Sequence, residues 1–157
     1  MVSAGNPGTP AAMDRDFFLA DFSEAVRLAV TGFDAEGISF RECIGHQIGT
    51  LPKGRSYVYL FWMPGGNRYL KIGKAGPNSQ ARIYQHYSLG SAKSSLAKSI
   101  RDTPDLVGLA APPPEIKAWI YDNTRLFIFI LPDGDRFIRN FLEAFLHLKF
   151  NPVYEEG

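Results

Sequence analysis

Residues 56–63 read S-Y-V-Y-L-F-W-M and run straight into Pro64-Gly65-Gly66, and no other segment restricts the fold as much. Aromatic and β-branched side chains over so short a span suit a strand, and the Pro-Gly-Gly turn obliges the chain to return beside it. Arg68 to Ile72 supplies the returning strand, and Gly73 with Gly76-Pro77 closes the hairpin. Asn78 or Ser79 then caps a helix reaching about Tyr87. Ser94 to Arg101 reads as a second short helix, and Pro112-Pro113-Pro114 opens a segment of one or two helical turns. Leu126 to Leu131 is a third strand, apolar enough to be fully buried, and Asp133-Gly134-Asp135 starts a last helix running to about Phe150.

Ahead of the hairpin, Phe17, Phe18, Phe22, Val26, Leu28 and Val30 alternate with Asp16, Asp21, Glu24 and Arg27 as in an amphipathic helix ending near Gly32. Gly37, Gly45, Gly49, Pro52 and Gly54 punctuate residues 33–54 and leave room only for short elements. Residues 1–13 are uncharged and rich in Gly, Pro, Ala and Ser, so they can neither build nor anchor a core. The expected division is a flexible tail over 1–13, an N-terminal helical extension over 14–52, and a principal domain over 53–157. At 157 residues and 45% hydrophobic, the chain supports one core with an appendage.

Net charge is +1, yet its signs are segregated. Between Lys53 and Arg101 there is no Asp or Glu, while nine cations occur there: Lys53, Arg55, Arg68, Lys71, Lys74, Arg82, Lys93, Lys98 and Arg101. Eight cations remain for all sixteen carboxylates elsewhere. A near-neutral protein therefore carries a basic module, whose direct reading is a surface for a polyanion such as nucleic acid. Lys74, Lys93, Lys98 and Arg101 are the expected phosphate contacts. The alternative is a basic face that pairs with the acidic flanks. Cys43 is the single cysteine and cannot form an internal disulfide. The first residues lack the basic-then-apolar pattern of a signal peptide, so a cytoplasmic location is expected. Wholly apolar runs such as 126–131 fall far short of the roughly 20 residues that span a bilayer, so no membrane association is expected.

Two helices carry chemistry. Arg82 and His86 stand four residues apart, so a cation and an imidazole share one face. The guanidinium fork matches the non-bridging oxygens of a phosphodiester. On the last helix Phe137, Phe141, Phe145 and Leu148 form an apolar stripe, and Arg136, Asn140, Glu143 and His147 a polar one. Glu143 is placed either to ligate a metal or to pair with Arg139 or His147. Tyr57 and Tyr59 are catalysts or half-buried strand aromatics.

In order along the chain these residues resemble the GIY-YIG nucleases. Tyr57-Val58-Tyr59 matches the family's Gly-Ile-Tyr strand and Lys71-Ile72-Gly73 its Tyr-Ile-Gly strand. Arg82 and His86 match its Arg and the His or Tyr four residues later, and Glu143 before Asn151-Pro152-Val153-Tyr154 matches its metal-binding Glu and Pro-containing tail. The resemblance covers roughly residues 53–155. Tyr57 stands where the family commonly has Gly, Lys71 where it has Tyr, and Glu155 where an Asn often follows.

The resemblance implies an α+β fold, a small three-stranded antiparallel sheet flanked by helices, with the N-terminal helical extension appended. It also implies a Mg²⁺-dependent endonuclease acting on DNA, with Mn²⁺ as a substitute metal, RNA as the alternative substrate, and a monomer or homodimer as the working form. Tyr59 would take a proton from water, its pKa brought below 10 by a Lys71 within hydrogen-bond reach. Arg82 would clamp the scissile phosphate, His86 would orient Tyr59 or a phosphate oxygen, and Mg²⁺ on Glu143 would neutralise the leaving 3′ oxygen. These five residues would then line one exposed cleft. The competing expectation is a catalytically inactive nucleic-acid-binding module of the same fold.

Overall fold

The computed structural model describes residues 13–29, 35–90, 94–132 and 136–154. Residues 1–12 of the expected tail, the phosphate-contact candidate Lys93, the helix-start residues 133–135 and Glu155 lie outside them. The chain divides into two compact units, residues 1–36 and 37–157.

The first unit holds α1 (Arg15–Ala29), which begins where Asp14 Oδ1 accepts the Phe17 N–H at 2.9 Å, satisfying an N-terminal donor the helix itself leaves free. Its apolar face, Phe18, Leu19, Phe22 and Val26, is buried, while Arg27 and Glu24 pair on its exposed side.

The second unit is built on an antiparallel sheet of β1 (Ser39–Cys43), β2 (Ser56–Met63), β3 (Arg68–Ala75) and β4 (Arg125–Leu131), in the order β1-β4-β2-β3. The class is α+β, but the sheet has four strands rather than the three expected, and the fourth comes from the segment read as a helical extension. Residues 39–43, S-F-R-E-C, have little intrinsic strand character. Long-range partners make them one: Phe40 packs on Phe127 and Phe129, and Glu42 accepts two hydrogen bonds from Arg125 across the β1–β4 pair.

β2 is central and buried at every position, with β3 on its outer side as an edge strand. Tyr57, Tyr59 and Phe61 lie opposite Ala75, Gly73 and Lys71, so these six share one face of the hairpin. That face packs on α2 (Ala81–Tyr84), the turn after it, α3 (Leu96–Asp102) and α4 (Ile116–Asn123) through Ile83, Tyr87, Leu96, Ile100 and Ile120. The helix expected to reach Tyr87 is one α turn followed by a 3₁₀ turn over Gln85–Tyr87.

The last helix, α5 (Arg136–Phe150), packs along β3 and β2. Its buried residues are Ile138, Leu142 and Leu146, one position on from the expected stripe, and Phe137 and Leu148 are exposed. Two adjacent ladders on this helix are apolar, and only docking on the sheet chooses between them. After α5, Val153 and Tyr154 donate backbone N–H groups to the Tyr69 and Leu70 carbonyls, so the Pro-containing tail covers the β3 edge. No helix among the described residues is long and apolar enough to cross a membrane.

Candidate active site

A cleft of about 830 Å³ straddles the β3 edge. Tyr59 from β2, Lys71 from β3, Arg82 from α2, His86 from the following 3₁₀ turn and Glu143 from α5 all line it. Residues spread over 85 positions of sequence thus converge on one cleft, with Tyr59, Lys71 and His86 buried in its wall.

Tyr59 reaches this cleft because of the residue opposite it. A Cβ on Gly73 would lie 2.6 Å from the Tyr59 hydroxyl and 2.7 Å from its ring, so only glycine lets the phenol cross the neighbouring strand. The position that stands as Tyr57 in the first motif has a separate use. Its hydroxyl donates to the Pro52 carbonyl and accepts from Gln80 Nε2, bracing the start of β2 against the turn before α2.

His86 is buried and holds Tyr59 at 2.7 Å through Nε2. Its Nδ1 accepts the Leu96 backbone N–H at the start of α3 at 3.1 Å, and a backbone N–H can only donate. The ring proton is therefore on Nε2 and is donated to the Tyr59 oxygen. Burial, reinforced by the charges of Lys71 and Arg82, pushes the imidazole down to about 3, so His86 is neutral at physiological pH and this polarity persists.

The Tyr59 phenol is itself pushed up to about 12 by burial, against the lowering effects of Arg82's charge and hydrogen bond, with Glu143 adding to the rise. The expected lowering below 10 is absent from the resting protein, because desolvation of a phenolate on a central strand outweighs a guanidinium on an exposed helical turn. Lys71 lies opposite Phe61, diagonal to Tyr59, and its buried ammonium donates to the Tyr154 carbonyl at 3.3 Å. Its resolved electrostatic effect falls on His86.

Glu143 is half-buried and meets Lys74 Nζ at 2.5 Å. Neither expected helical neighbour fills that position. Arg139 packs its guanidinium against Gly76, and His147 donates Nε2–H to the Ile72 carbonyl at 3.2 Å. The carboxylate already holds a cation beside an open cleft, which fits a hard ion such as Mg²⁺ that takes one or two carboxylates and keeps several waters. Among the described residues no three His, Cys, Asp or Glu groups cluster as a metal cage.

Of the expected phosphate contacts, Lys74 is on Glu143, and Arg101 on the exposed end of α3 pairs with Asp102 at 2.6 Å. Lys98 lies half-buried on α3. Two of these cations thus use acids from the flanks of the acid-free stretch. His147 and Ser95 also line the cleft and were not expected there. The spacing of His147 from Glu143 signalled it, whereas the role of the Leu96 N–H leaves no trace in side-chain chemistry.

No protein-family model, curated protein or solved structure matches this chain.

Proposed function

We propose that the protein is a metal-dependent endonuclease that hydrolyses DNA phosphodiester bonds in this cleft. One observation carries the reading: a buried tyrosine, held by a neutral histidine of fixed tautomer, opens onto the same cleft as an exposed arginine and a carboxylate that already holds a cation.

Arg82 is exposed, and its fork can turn onto the scissile phosphate, where its charge opposes the negative charge that builds on the non-bridging oxygens. His86 donates to the Tyr59 oxygen and leaves that hydroxyl's own proton directed elsewhere. Once the phenol has lost its proton to bulk solvent, the same Nε2–H and the Arg82 guanidinium support the phenolate, which then accepts the proton of the attacking water. Lys71, held by the Tyr154 carbonyl, adds a buried positive charge on the same hairpin face, where burial and its field keep His86 neutral. Mg²⁺ held on Glu143, with Mn²⁺ as a substitute, supplies Lewis-acid neutralisation of oxygen charge.

The inactive-module reading draws on a specific observation of its own, the occupation of Glu143 by Lys74. Incubating the protein with supercoiled plasmid and Mg²⁺, beside Glu143→Ala, separates the two. Nicking by the wild type that disappears in the variant is expected. DNA binding without nicking by the wild type assigns the inactive module.

A further inference from the structure

Lys74, expected at a phosphate, stands on a carboxylate instead. It alternates along β3 away from Gly73, pairs in register with Val58, and so points from the hairpin face opposite to Tyr59 toward α5. There its ammonium sits 2.5 Å from Glu143 Oε2, with about a third of the lysine side chain and a fifth of the glutamate side chain exposed. Glu143 is fixed on a helix anchored by Leu142 and Leu146, both wholly buried. Lys74 is a four-carbon stem on an edge strand. Of the two partners the lysine is the one that can leave.

We infer that Lys74 is the built-in competitor for the metal at Glu143, and that once displaced it becomes a phosphate contact, so that metal and DNA binding are coupled through one side chain. This rests on the nuclease reading of the cleft. Lys74 sits against Oε2 of Glu143, and a divalent ion on the same carboxylate would repel that ammonium at short range, so loading the metal favours release of the lysine. Partly exposed pairs of this kind are worth a factor of about two to five in an equilibrium constant, enough to measure and weak enough to displace. The freed ammonium stands one side chain away from the cleft that Glu143 lines together with Arg82 and Lys71, and a DNA phosphate is the anion available there. Linkage then requires that DNA tighten metal binding by the factor by which metal tightens DNA binding.

The test is a Mn²⁺ titration of the full chain without DNA, following free Mn²⁺ by electron paramagnetic resonance. Lys74→Met, with Lys74→Gln as a second variant, is expected to bind Mn²⁺ about two- to fivefold more tightly than wild type. Lys53→Met, which removes an exposed cation of the same basic stretch, is expected to bind as wild type does. Equal affinity in wild type and both Lys74 variants overturns the proposal while leaving Glu143 as the metal anchor. An equal gain in Lys53→Met also overturns it, because the effect is then one of general charge. If Glu143→Gln binds Mn²⁺ as well as wild type, the metal site itself is misassigned and the proposal falls with it.

A second arm measures binding of a short duplex in Ca²⁺ and in EDTA across a range of salt. The salt slope of the wild type is expected to steepen in Ca²⁺ by about one phosphate contact, and that of Lys74→Met to stay unchanged. A Lys74 contribution of equal size in EDTA removes the coupling.

Discussion

Two buried histidines each hold a tyrosine, and they do so with opposite polarity. His46 meets the Tyr87 hydroxyl through Nδ1 at 2.8 Å, and His86 meets the Tyr59 hydroxyl through Nε2 at 2.7 Å. Both imidazoles are 5% exposed, and burial lowers both of their pKa values. The difference lies in the second ring nitrogen. His46 Nε2 faces the Thr124 carbonyl at 2.8 Å, which can only accept, so the ring proton is there and Nδ1 must receive the Tyr87 O–H. His86 Nδ1 faces the Leu96 N–H, which can only donate, so Nε2–H is given to Tyr59. One tyrosine has committed its proton to the core, packed against His46, Phe61 and Tyr121. The other keeps its proton and opens on the cleft. The backbone group on the far ring nitrogen thus separates a tyrosine whose proton is given to its histidine from one whose proton is not.

The largest expected effect is on that contrast. Tyr59→Phe keeps the ring over Gly73 and is expected to slow nicking by about 10²- to 10⁴-fold, the scale of a lost general base. Tyr87→Phe is expected to leave the nicking rate within about twofold and to cost about 1 kcal/mol of stability, the scale of one buried hydrogen bond. Single-turnover plasmid nicking and urea denaturation measure the two. Comparable rate losses in both variants would erase the distinction.

A smaller effect concerns pH. With the Tyr59 phenol at about 12, the ionised fraction rises tenfold with each pH unit below that value. The nicking rate is therefore expected to climb about 100-fold from pH 7 to pH 9 without levelling, and to lose this slope in Tyr59→Phe. A plateau beginning below pH 9 would mean that the base titrates elsewhere.

The smallest effect compares the histidines directly. His86 binds its proton only near pH 3, whereas in the unfolded chain it does so near 6.5. The native state thus holds fewer protons between those values, and stability is lost as pH falls through that window, by roughly 1.4 kcal/mol per unit. His46 contributes with the same sign. Urea midpoints at pH 7, 6 and 5 are expected to show a shallower decline in His86→Gln than in wild type, with less flattening in His46→Gln. Equal flattening would deny the more deeply desolvated position to His86.

The hairpin, the final strand and helices α1, α3 and α5 are legible in sequence because their signals are local. Alternating aromatics, a Pro-Gly-Gly turn and acid-flanked apolar periodicity each act within a few residues of one another. The candidate site was readable as residue types in order along the chain: Tyr59, Lys71, Arg82, His86 and Glu143 all line the cleft. What sequence order could not contain were the contacts made across distance. β1 exists because Glu42 and Phe40 find Arg125 and Phe127 more than eighty positions away. The buried ladder of α5 was chosen by the sheet beneath it, and Lys74 met Glu143 because strand alternation turned it toward that helix. The tautomer of His86 was decided by a backbone N–H that every non-proline residue carries, so no side chain announces it. Local patterns specify which groups are present, while desolvation and pairing across the fold set their protonation and their partners, because burial and charge act through space rather than along the chain.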